Sequence, residues 1–567
     1  MQRVFMVGWD GATFDLIRPW VAEGKLPTIS RLMDEGVHGE LESTMPPWTF
    51  PAWTSFMTGM NPGKHGIFDF FGPREGSYDL EFVNGGHRRA ATFWKLLSDA
   101  GRKVVSISLP CTFPPEKVNG VMISGFDFPG EGPGSFVDSR GMYPPQLFDE
   151  LNSKVGPHPI DASISKEVNR GEFDVVIERI LETIRAKAAT AKYLMKEHDW
   201  DCFMILFGES DGTGHQFWKF TDPNSPLYTE HPDQLGDSLL RVYQELDRQL
   251  AEMVEKLPDD VTLMMMSDHG FGGVSDWCLY PNCWLHEQGW LTLHERRTRW
   301  TDRLLNALKL WAVQSLPAWM QRSIYRHASW LVGRIEARSR FGSIDWSGTR
   351  AYFDETPYFP MLRINLQGRQ PEGIVAPADY ESVREEVIEM LESWVHPQTG
   401  QPIVEKVFRR EDVYSGPCVE NAPDVIPKWA LHDGYSYAFR KCASSPDLRW
   451  IDQVDPRTPE NQQFYASKSG THRDHGIFLA RGPGIRQGET VSDARIIDLA
   501  PTILALLDVP LPADMDGRVL EEIFADQDVP GHAFQTASAL VEESSLTYSL
   551  DDEAKVSDRL RALGYIE

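Results

Sequence analysis

The sequence has few cysteines, no long apolar run and little basic charge. Six cysteines are scattered over 567 residues without CxxC spacing, which indicates neither a thiolate zinc site nor a disulfide framework. No apolar run approaches the roughly 18 residues needed to cross a bilayer. The N-terminal residues enter a buried-looking strand rather than a signal peptide. We therefore expect a cytoplasmic protein.

Lysine and arginine number 56 against 83 aspartates and glutamates, so the formal net charge is −27. A protein that binds nucleic acid needs dense positive charge to hold the phosphate backbone. We therefore expect no nucleic-acid binding, and we attribute the negative charge to solubility.

Short apolar segments alternate with amphipathic segments along the first half of the chain. The predicted strands are residues 4–7, 103–108, 202–207 and 261–266, and the predicted helices are residues 26–35, 93–100 and 172–197. This alternation favours an α/β fold with a doubly wound, mostly parallel sheet and helices on both faces.

The alternation stops after Asp276 and resumes near Phe464, with a predicted strand at 476–480 and a predicted helix at 497–507. We therefore interpret the two ends of the chain as one catalytic core and the middle as an inserted cap. The predicted core is residues 1–275 and 446–567, and the predicted cap is residues 276–445.

Acidic side chains follow three of the predicted strands. Asp10, Asp211 and the pair Asp268–His269 each come just after a strand. One acidic residue in such a place is commonly a helix cap. Three of them, two accompanied by histidine, indicate a site, because ligands collect beyond the carboxyl ends of the strands in parallel sheets.

Carboxylate oxygen and imidazole nitrogen are ligands that divalent cations prefer. Asp211 and His215 share a predicted strand-to-helix loop, and His472 lies just before another predicted strand. Any one of these residues also has a purely structural explanation. The full set of candidate ligands is Asp10, Asp211, His215, Asp268, His269 and His472.

The segment 46–66 contains the candidate nucleophile, Thr49. A threonine hydroxyl is a weak nucleophile that metal coordination can activate. Two cations about 3.5–4 Å apart would also stabilise charge on the entering and leaving oxygens. Thr49 could equally be a helix cap, and chemistry alone does not distinguish it from Thr54 or Ser55.

Several segments together resemble the type I phosphodiesterase and nucleotide pyrophosphatase branch of the alkaline phosphatase superfamily, in particular its bacterial and archaeal phosphohydrolase or phosphomutase group. They are GWDG, TFPAWTSFMTG, SDGTGH, SDHGF, NCWLHEQGWL, THRDHGIFLARGPGI and DLAPTILALLDVPLPADMDGR. The resemblance implies an alkaline-phosphatase-like fold and a phosphothreonine intermediate on Thr49, which is then hydrolysed or transferred to an acceptor.

The resemblance also implies two divalent metal ions, with zinc as the family's metal and manganese suited to the same ligands. It assigns a first ligand group to one ion and a second ligand group to the other. The first ligand group is Asp211, His215 and His472. The second ligand group is Asp10, Thr49, Asp268 and His269.

The sequence departs from the family at the substrate phosphate. Related nucleotide pyrophosphatases have asparagine three residues after the nucleophile, where this chain has Ala52. The phosphate contact would then come from a backbone N–H, Arg473 or Lys468. No residue matches the arginine that favours monoesters in alkaline phosphatases, and the sulfatase motif C/S-x-P-x-R does not match at Thr49.

The region 300–341 is rich in tryptophan and locally basic. Ten lysine and arginine residues between 296 and 340 face two acidic residues. Such a segment is typical either of a helical cap that attracts an anionic substrate or of a helical hairpin at an anionic membrane surface. Peripheral contact with the inner membrane face is therefore an alternative to the cap.

From these features we expect a metal-dependent hydrolase of small-molecule phosphate esters that favours diesters. A phosphomutase or phosphotransferase using the same Thr49 intermediate is one alternative. A catalytically silent, membrane-associated binding protein is the other.

Overall fold

A computed structural model describes residues 2–74, 76–130, 136–162, 172–230, 235–294, 340–525, 528–541 and 548–563. The predicted basic, tryptophan-rich region 300–341 therefore lies almost entirely outside the described residues, and both interpretations of it stay predictions. Among the residues that are described, no helix combines the length and the apolar character needed to cross a bilayer.

Ten strands of the described chain form the largest sheet. Its strands lie in the order Glu489–Thr490, Val37–Glu42, His475–Arg481, Val261–Met266, Arg3–Trp9, Cys202–Phe207, Val104–Leu109, Gly120–Ser124 and Met142–Tyr143, with Ala494–Arg495 also paired to Val37–Glu42.

The middle of this sheet is parallel. Arg3–Trp9 pairs in parallel with Cys202–Phe207 on one side and with Val261–Met266 on the other. His475–Arg481 is antiparallel to its neighbour Val261–Met266, and Met142–Tyr143 is antiparallel at the far edge. The predicted α/β fold with a mostly parallel sheet is confirmed.

The central strand Arg3–Trp9 is buried on both faces. Phe5, Val7 and Trp9 pack into one hydrophobic cluster, and Val4 and Met6 pack into another on the opposite face. Successive side chains of a strand point to opposite faces, so a continuous apolar run is what a sheet covered on both sides requires.

Helices cover the two faces. The first face is covered by Pro27–Glu35, Phe173–Glu197 and Ser238–Val254, and the second by Thr49–Thr58, Phe93–Asp99 and Leu499–Leu506. The other helices are Phe14–Ala22, Pro62–His65, Leu147–Lys154, Glu209–Thr221, Pro281–Glu287, Tyr380–Glu392, Arg410–Val413, Pro459–Tyr465 and Leu550–Leu563.

Smaller sheets accompany the large one. A five-stranded sheet contains Leu431–His432, Tyr435–Phe439, Gly270–Leu279, Ile451–Gln453 and Gly470–Arg473, and a four-stranded sheet contains Ala351–Phe353, Leu362–Ile364, Val425–Trp429 and Val404–Arg409. Two-stranded pairs are Phe71–Pro73 with Leu80–Phe82, Thr292–Leu293 with Ile344–Asp345, and Leu511–Pro512 with Phe534–Gln535.

The predicted cap, residues 276–445, contributes most of a separate hydrophobic cluster, which includes Phe353 and Leu391. The strand Gly270–Leu279 runs straight through the predicted boundary at 275/276 and pairs with strands from both sides of it. The division into core and cap stays a prediction.

Predicted strand and helix limits agree with the structure to within two residues, with one error in type. Residues 211–215, predicted as a loop, lie inside the helix Glu209–Thr221. Glycines in the sequence SDGTGH suggested the loop. His472 lies within a short strand of its own, Gly470–Arg473, just before the strand His475–Arg481.

The cysteine spacing indicated no disulfide framework, but the structure contains one disulfide. Cys283 and Cys442 form a disulfide, with their Cα atoms 5.3 Å apart. The two cysteines are separated by 159 residues, so local cysteine spacing carries no signal of their pairing. The other cysteines, Cys111, Cys202, Cys278 and Cys418, are buried and form no disulfide among the described residues.

We expect Phe5→Ala to lower the free energy of unfolding by about 3–5 kcal/mol, because it leaves a cavity beneath the central strand. Urea denaturation measures this change. Val175→Ala is the control, since Val175 is 47% exposed and its truncation should change stability by less than about 0.5 kcal/mol. Equal effects of the two substitutions would contradict this assignment of the core.

Candidate metal centre

The six predicted ligands converge at the carboxyl edge of the central sheet. Asp10 follows the strand Arg3–Trp9, and Asp268 follows Val261–Met266. All six side chains are buried, none with more than 1% of its surface exposed. They are Asp10, Asp211, His215, Asp268, His269 and His472.

The first ligand group is built on one helix and one strand. Asp211 and His215 are one helical turn apart, so they share a face of Glu209–Thr221, and Asp211 Oδ1 lies 3.4 Å from His215 Nε2. His472 Nε2 lies 3.1 Å from His215 Nε2 and 3.3 Å from Asp211 Oδ1. Three ligand atoms thus meet at one point.

The second ligand group adjoins the first. His269 Nε2 lies 3.2 Å from Asp268 Oδ2 and 3.6 Å from Asp10 Oδ1. Thr49 Oγ1 lies 3.4 Å from His269 Nε2. Thr49 is the first residue of the helix Thr49–Thr58, so its hydroxyl enters the cluster from the helix N-terminus.

Of the three candidate nucleophiles, Thr49 is the one that the structure brings to the ligands. Ser55 Oγ pairs instead with His65 Nε2 at 3.0 Å. In the described part of the chain, Thr54 Oγ1 makes no hydrogen bond to any of the six ligands. The alternatives left open by the sequence are therefore separated by geometry.

The three histidines present the same ring nitrogen to the cluster. The Nδ1 of His215 lies 2.8 Å from the main-chain carbonyl oxygen of Gly470. The Nδ1 of His269 lies 3.0 Å from the carbonyl oxygen of Gly270, and that of His472 lies 2.9 Å from the carbonyl oxygen of Pro47. A carbonyl oxygen only accepts hydrogen bonds, so each Nδ1 carries the proton. Each Nε2 therefore offers a lone pair to the cluster, as a metal-ligating histidine does.

The buried carboxylates lie close together, and no water screens the repulsion between their negative charges. Burial, followed by the charges of Asp268 and Asp211, raises the pKa of Asp10 well above its usual range. Burial and the charge of Asp211 likewise raise the pKa of Asp268. The charge of the second ligand group is therefore not balanced by the protein itself.

In the first ligand group, the neighbouring histidines offset the negative charge of Asp211. Burial alone would raise the pKa of Asp211, but His215 and His472 hold it well below its usual range. Burial, and then the neighbouring His472, lowers the pKa of His269 well below its usual value. The neutral form of His269, which is the form that binds a metal ion, is thus favoured.

The residues fit divalent cations. The buried Oδ1 of Asp10 and Oδ2 of Asp268 have no hydrogen-bond partner among the described residues. The ligand atoms of Asp211, His269 and His472 lie within 4.8 Å of one another. Those of Asp10, Asp268 and His269 form a second such set, which shares His269 with the first. Mixed oxygen and imidazole ligands at this spacing suit zinc or manganese.

Close packing fixes the first ligand group. A Cβ added at Gly470 would lie 2.5 Å from the Phe271 ring and 2.6 Å from Gly214 O, and one added at Gly214 would lie 2.7 Å from the same ring. Phe271 in turn contacts the edge of the His215 imidazole, with ring centroids 4.9 Å apart. Glycine is therefore required on both sides of this ring.

Two residues at the site escaped the sequence analysis. Trp53 Nε1 donates a hydrogen bond of 3.0 Å to Asp10 Oδ2. Trp53 lies four residues after Thr49, so helical periodicity could have placed both side chains on one face. Tyr358 contacts His215 from the predicted cap, and no sequence signal links positions so far apart.

The structure does not bring the two predicted substrate-binding cations into the cluster. The Arg473 guanidinium donates to Gly273 O at 3.0 Å and to Ser436 Oγ. Strand alternation places it on the side opposite His472. Lys468 Nζ lies over the ring of Phe464, 4.9 Å from its centroid.

Two further basic residues of the nucleophile region are structural. Lys64 Nζ donates to Asp516 Oδ1 at 2.6 Å, and the Nδ1 of His65 accepts from the main-chain N–H of Ile67 at 3.2 Å. Both side chains therefore have structural contacts and are not directed at the cluster.

The sequence profile described as type I phosphodiesterase / nucleotide pyrophosphatase matches residues 4–476. The chain belongs to this family. The resemblance carried by the sequence motifs is thereby confirmed. Phosphodiesterases hydrolyse phosphoric ester bonds, and this family member is a hydrolase of that class.

Two solved structures are similar to this family member. Phosphonoacetate hydrolase from Sinorhizobium meliloti 1021, in complex with phosphonoformate, is 14% identical with a TM-score of 0.51, over 89% of this chain and 96% of that chain. Human ectonucleotide pyrophosphatase / phosphodiesterase 5 is 15% identical with a TM-score of 0.47, over 93% of this chain and 99% of that chain. No curated protein matches the sequence.

We expect Asp268→Asn to raise the thermal unfolding midpoint of the metal-free phosphodiesterase by roughly 1–3 °C. The substitution removes one of the mutually repelling buried carboxylates and keeps the Oδ1 that accepts from Gly11 N. Added zinc should reverse the order, since the wild type gains the free energy of metal binding. Differential scanning calorimetry with and without zinc measures both effects.

Asp424→Asn is the matched control. Asp424 is fully buried, and Arg369 holds its pKa below the usual range despite burial. Removing this carboxylate should lower the midpoint whether or not zinc is present. A lower midpoint for metal-free Asp268→Asn would contradict the inference that the cluster is electrostatically strained without a cation.

Proposed function

We propose that the protein is a metal-dependent phosphodiesterase that forms a covalent phosphothreonine on Thr49. The observation that carries the proposal is the position of Thr49. Its hydroxyl lies 3.4 Å from His269 Nε2, inside a buried cluster of carboxylates and imidazoles. Metal ions held by these ligands would activate the hydroxyl, so no separate base would be needed.

Two divalent cations would lower the pKa of the Thr49 hydroxyl and neutralise negative charge on the phosphoryl oxygens. The first ligand group would hold one cation and the second ligand group the other. We propose zinc as the metal, with manganese suited to the same mixed oxygen and nitrogen ligands.

Thr49 Oγ1 attacks phosphorus in line with the bond to the leaving alcohol oxygen. The Oγ1–P bond forms as the P–O bond to the leaving group breaks; the Thr49 hydroxyl proton passes to solvent, and the leaving alkoxide takes up a proton from solvent. Water then attacks the phosphothreonine from the opposite direction and restores Thr49. The same oxygen is thus nucleophile in the first step and leaving group in the second.

The helix N-terminus supplies the phosphate contact that Ala52 does not. Thr49 and Phe50 are the first two residues of the helix Thr49–Thr58, where main-chain N–H groups have no partner inside the helix. Free N–H groups at a helix N-terminus favour negative charge. We propose that they bind a phosphoryl oxygen in place of the asparagine found in relatives.

A diester suits this site better than a monoester. The Arg473 guanidinium donates to the Gly273 carbonyl oxygen and to the Ser436 hydroxyl, on the side of its strand opposite His472. A diester phosphoryl group carries less negative charge than a monoester, so it needs less cationic stabilisation beyond the metal ions.

The cytoplasmic location, with peripheral membrane contact through residues 300–341, remains a proposal from the sequence. The Cys283–Cys442 disulfide weighs against a strongly reducing compartment, because structural disulfides are rare in the cytosol of mesophiles.

We expect Thr49→Ala to reduce the hydrolysis of bis(p-nitrophenyl) phosphate by roughly 10³-fold or more, because the covalent step is lost. Release of p-nitrophenol by the zinc-loaded enzyme measures this loss. The p-nitrophenyl monoester is assayed in parallel and should be cleaved more slowly than the diester.

Thr49→Ser is the matched control for the loss of the nucleophile. A serine hydroxyl occupies the same position, so this variant should keep measurable activity and form a phosphoserine detectable by mass spectrometry. Ser55→Ala removes a hydroxyl bonded to His65 instead and should leave activity near the wild-type value. Full activity of Thr49→Ala would contradict the proposed mechanism.

A further inference from the structure

Tyr358 lies against two histidines of the first ligand group. Its ring is stacked on the His215 imidazole, with centroids 5.1 Å apart and planes 28° apart, and on the His472 imidazole at 5.6 Å and 24°. Its hydroxyl oxygen lies 3.2 Å from His215 Nδ1. Tyr358 is itself buried, with 4% of its surface exposed.

The Tyr358 hydroxyl contacts His215 at Nδ1, the ring nitrogen that faces away from the other ligands. The Nδ1–H of His215 donates to Gly470 O at 2.8 Å, and the Tyr358 oxygen is a second acceptor for the same proton. A neutral imidazole carries one ring proton, so two acceptors at Nδ1 hold that proton there. The Nε2 lone pair is thereby left for a cation.

Packing also restricts the orientation of the His215 ring. Tyr358 stacks on one face of His215, and Phe271 meets the imidazole at 77°, with centroids 4.9 Å apart. On its other side Tyr358 packs against Trp48, the residue before Thr49, at 5.7 Å. One side chain thus joins the first ligand group to the start of the nucleophile helix.

The segment that carries Tyr358 is anchored on both sides of the tyrosine. Glu355 Oε1 accepts a hydrogen bond of 2.8 Å from the main-chain N–H of Cys442. Cys442 is in turn linked to Cys283 by the disulfide. After the tyrosine, the main-chain N–H of Met361 donates to Asp354 Oδ1 at 3.0 Å. These contacts fix where the Tyr358 ring can lie.

We infer that Tyr358 is a positioning residue for the metal centre. It fixes the tautomer and ring plane of His215 and so sets the affinity of the first ligand group for its cation. The inference rests on the proposed metal dependence and goes beyond it, because it assigns part of the metal affinity to the predicted cap, 143 positions along the chain from His215.

Tyr358→Phe keeps the stacked ring and removes the second acceptor, whereas Tyr358→Leu removes both. We expect the zinc dissociation constant of one site to rise about 10-fold in the first variant and about 100-fold in the second. The other site should bind zinc as in the wild type. Competition of the metal-free full-length protein with a chromophoric chelator measures both constants without reference to activity.

Tyr380→Phe is the matched control. It removes a hydroxyl that donates to Asp424 Oδ1 at 2.7 Å in the same predicted cap, so it should leave both zinc constants unchanged. Thermal unfolding of each metal-free variant shows that it folds. If Tyr358→Leu does not fold, Tyr358→Phe alone decides the question.

The zinc-binding measurements distinguish the positioning role of Tyr358 from the proposed metal dependence. Zinc binding by the wild type with unchanged constants in the folded Tyr358 variants would overturn the positioning role alone. Equal weakening at both sites would overturn it too, because the contact is specific to the first ligand group. No zinc uptake by the wild type would contradict metal dependence, and with it the inference.

Discussion

Three carboxylates and three imidazoles face one another at the edge of the central sheet, enclosed where water does not reach. Unbalanced buried charge is costly, and burial has raised the pKa of Asp10 and Asp268 while lowering that of His269. The surrounding structure keeps this arrangement in place: carbonyl oxygens hold the histidine protons outward, and Trp53 holds Asp10. Such an arrangement of carboxylates and imidazoles is suited to holding a cation.

The sequence predicted the parts of the fold that depend on local periodicity. Cys202–Phe207 and Val261–Met266 are uninterrupted apolar runs, and a strand covered on both faces needs that pattern. Ligands gather beyond the carboxyl ends of such strands, so the sequence also predicted that Asp10 and Asp268 lie close together. Residue chemistry alone did not distinguish Thr49 from Ser55; the family resemblance favoured Thr49, and in the structure the Thr49 hydroxyl lies beside His269.

What the sequence missed depends on contacts between distant segments. The segment containing Gly214 was predicted as a loop but lies in a helix, and Phe271 packs where a side chain at position 214 would be. The disulfide joins Cys283 to a cysteine 159 residues away. Tyr358 reaches His215 across a similar separation. Arg473 had the right charge for a phosphate, but strand alternation directs its guanidinium to carbonyl groups on the opposite side from His472.

Anomalous diffraction at the zinc edge, from crystals of the full-length protein grown with zinc, tests the central claim most directly. Two anomalous peaks should lie in the cluster, one within bonding distance of the first ligand group and one within bonding distance of the second, with Thr49 Oγ1 beside the latter. Folded protein that hydrolyses diesters while showing no peak between these side chains would contradict the account.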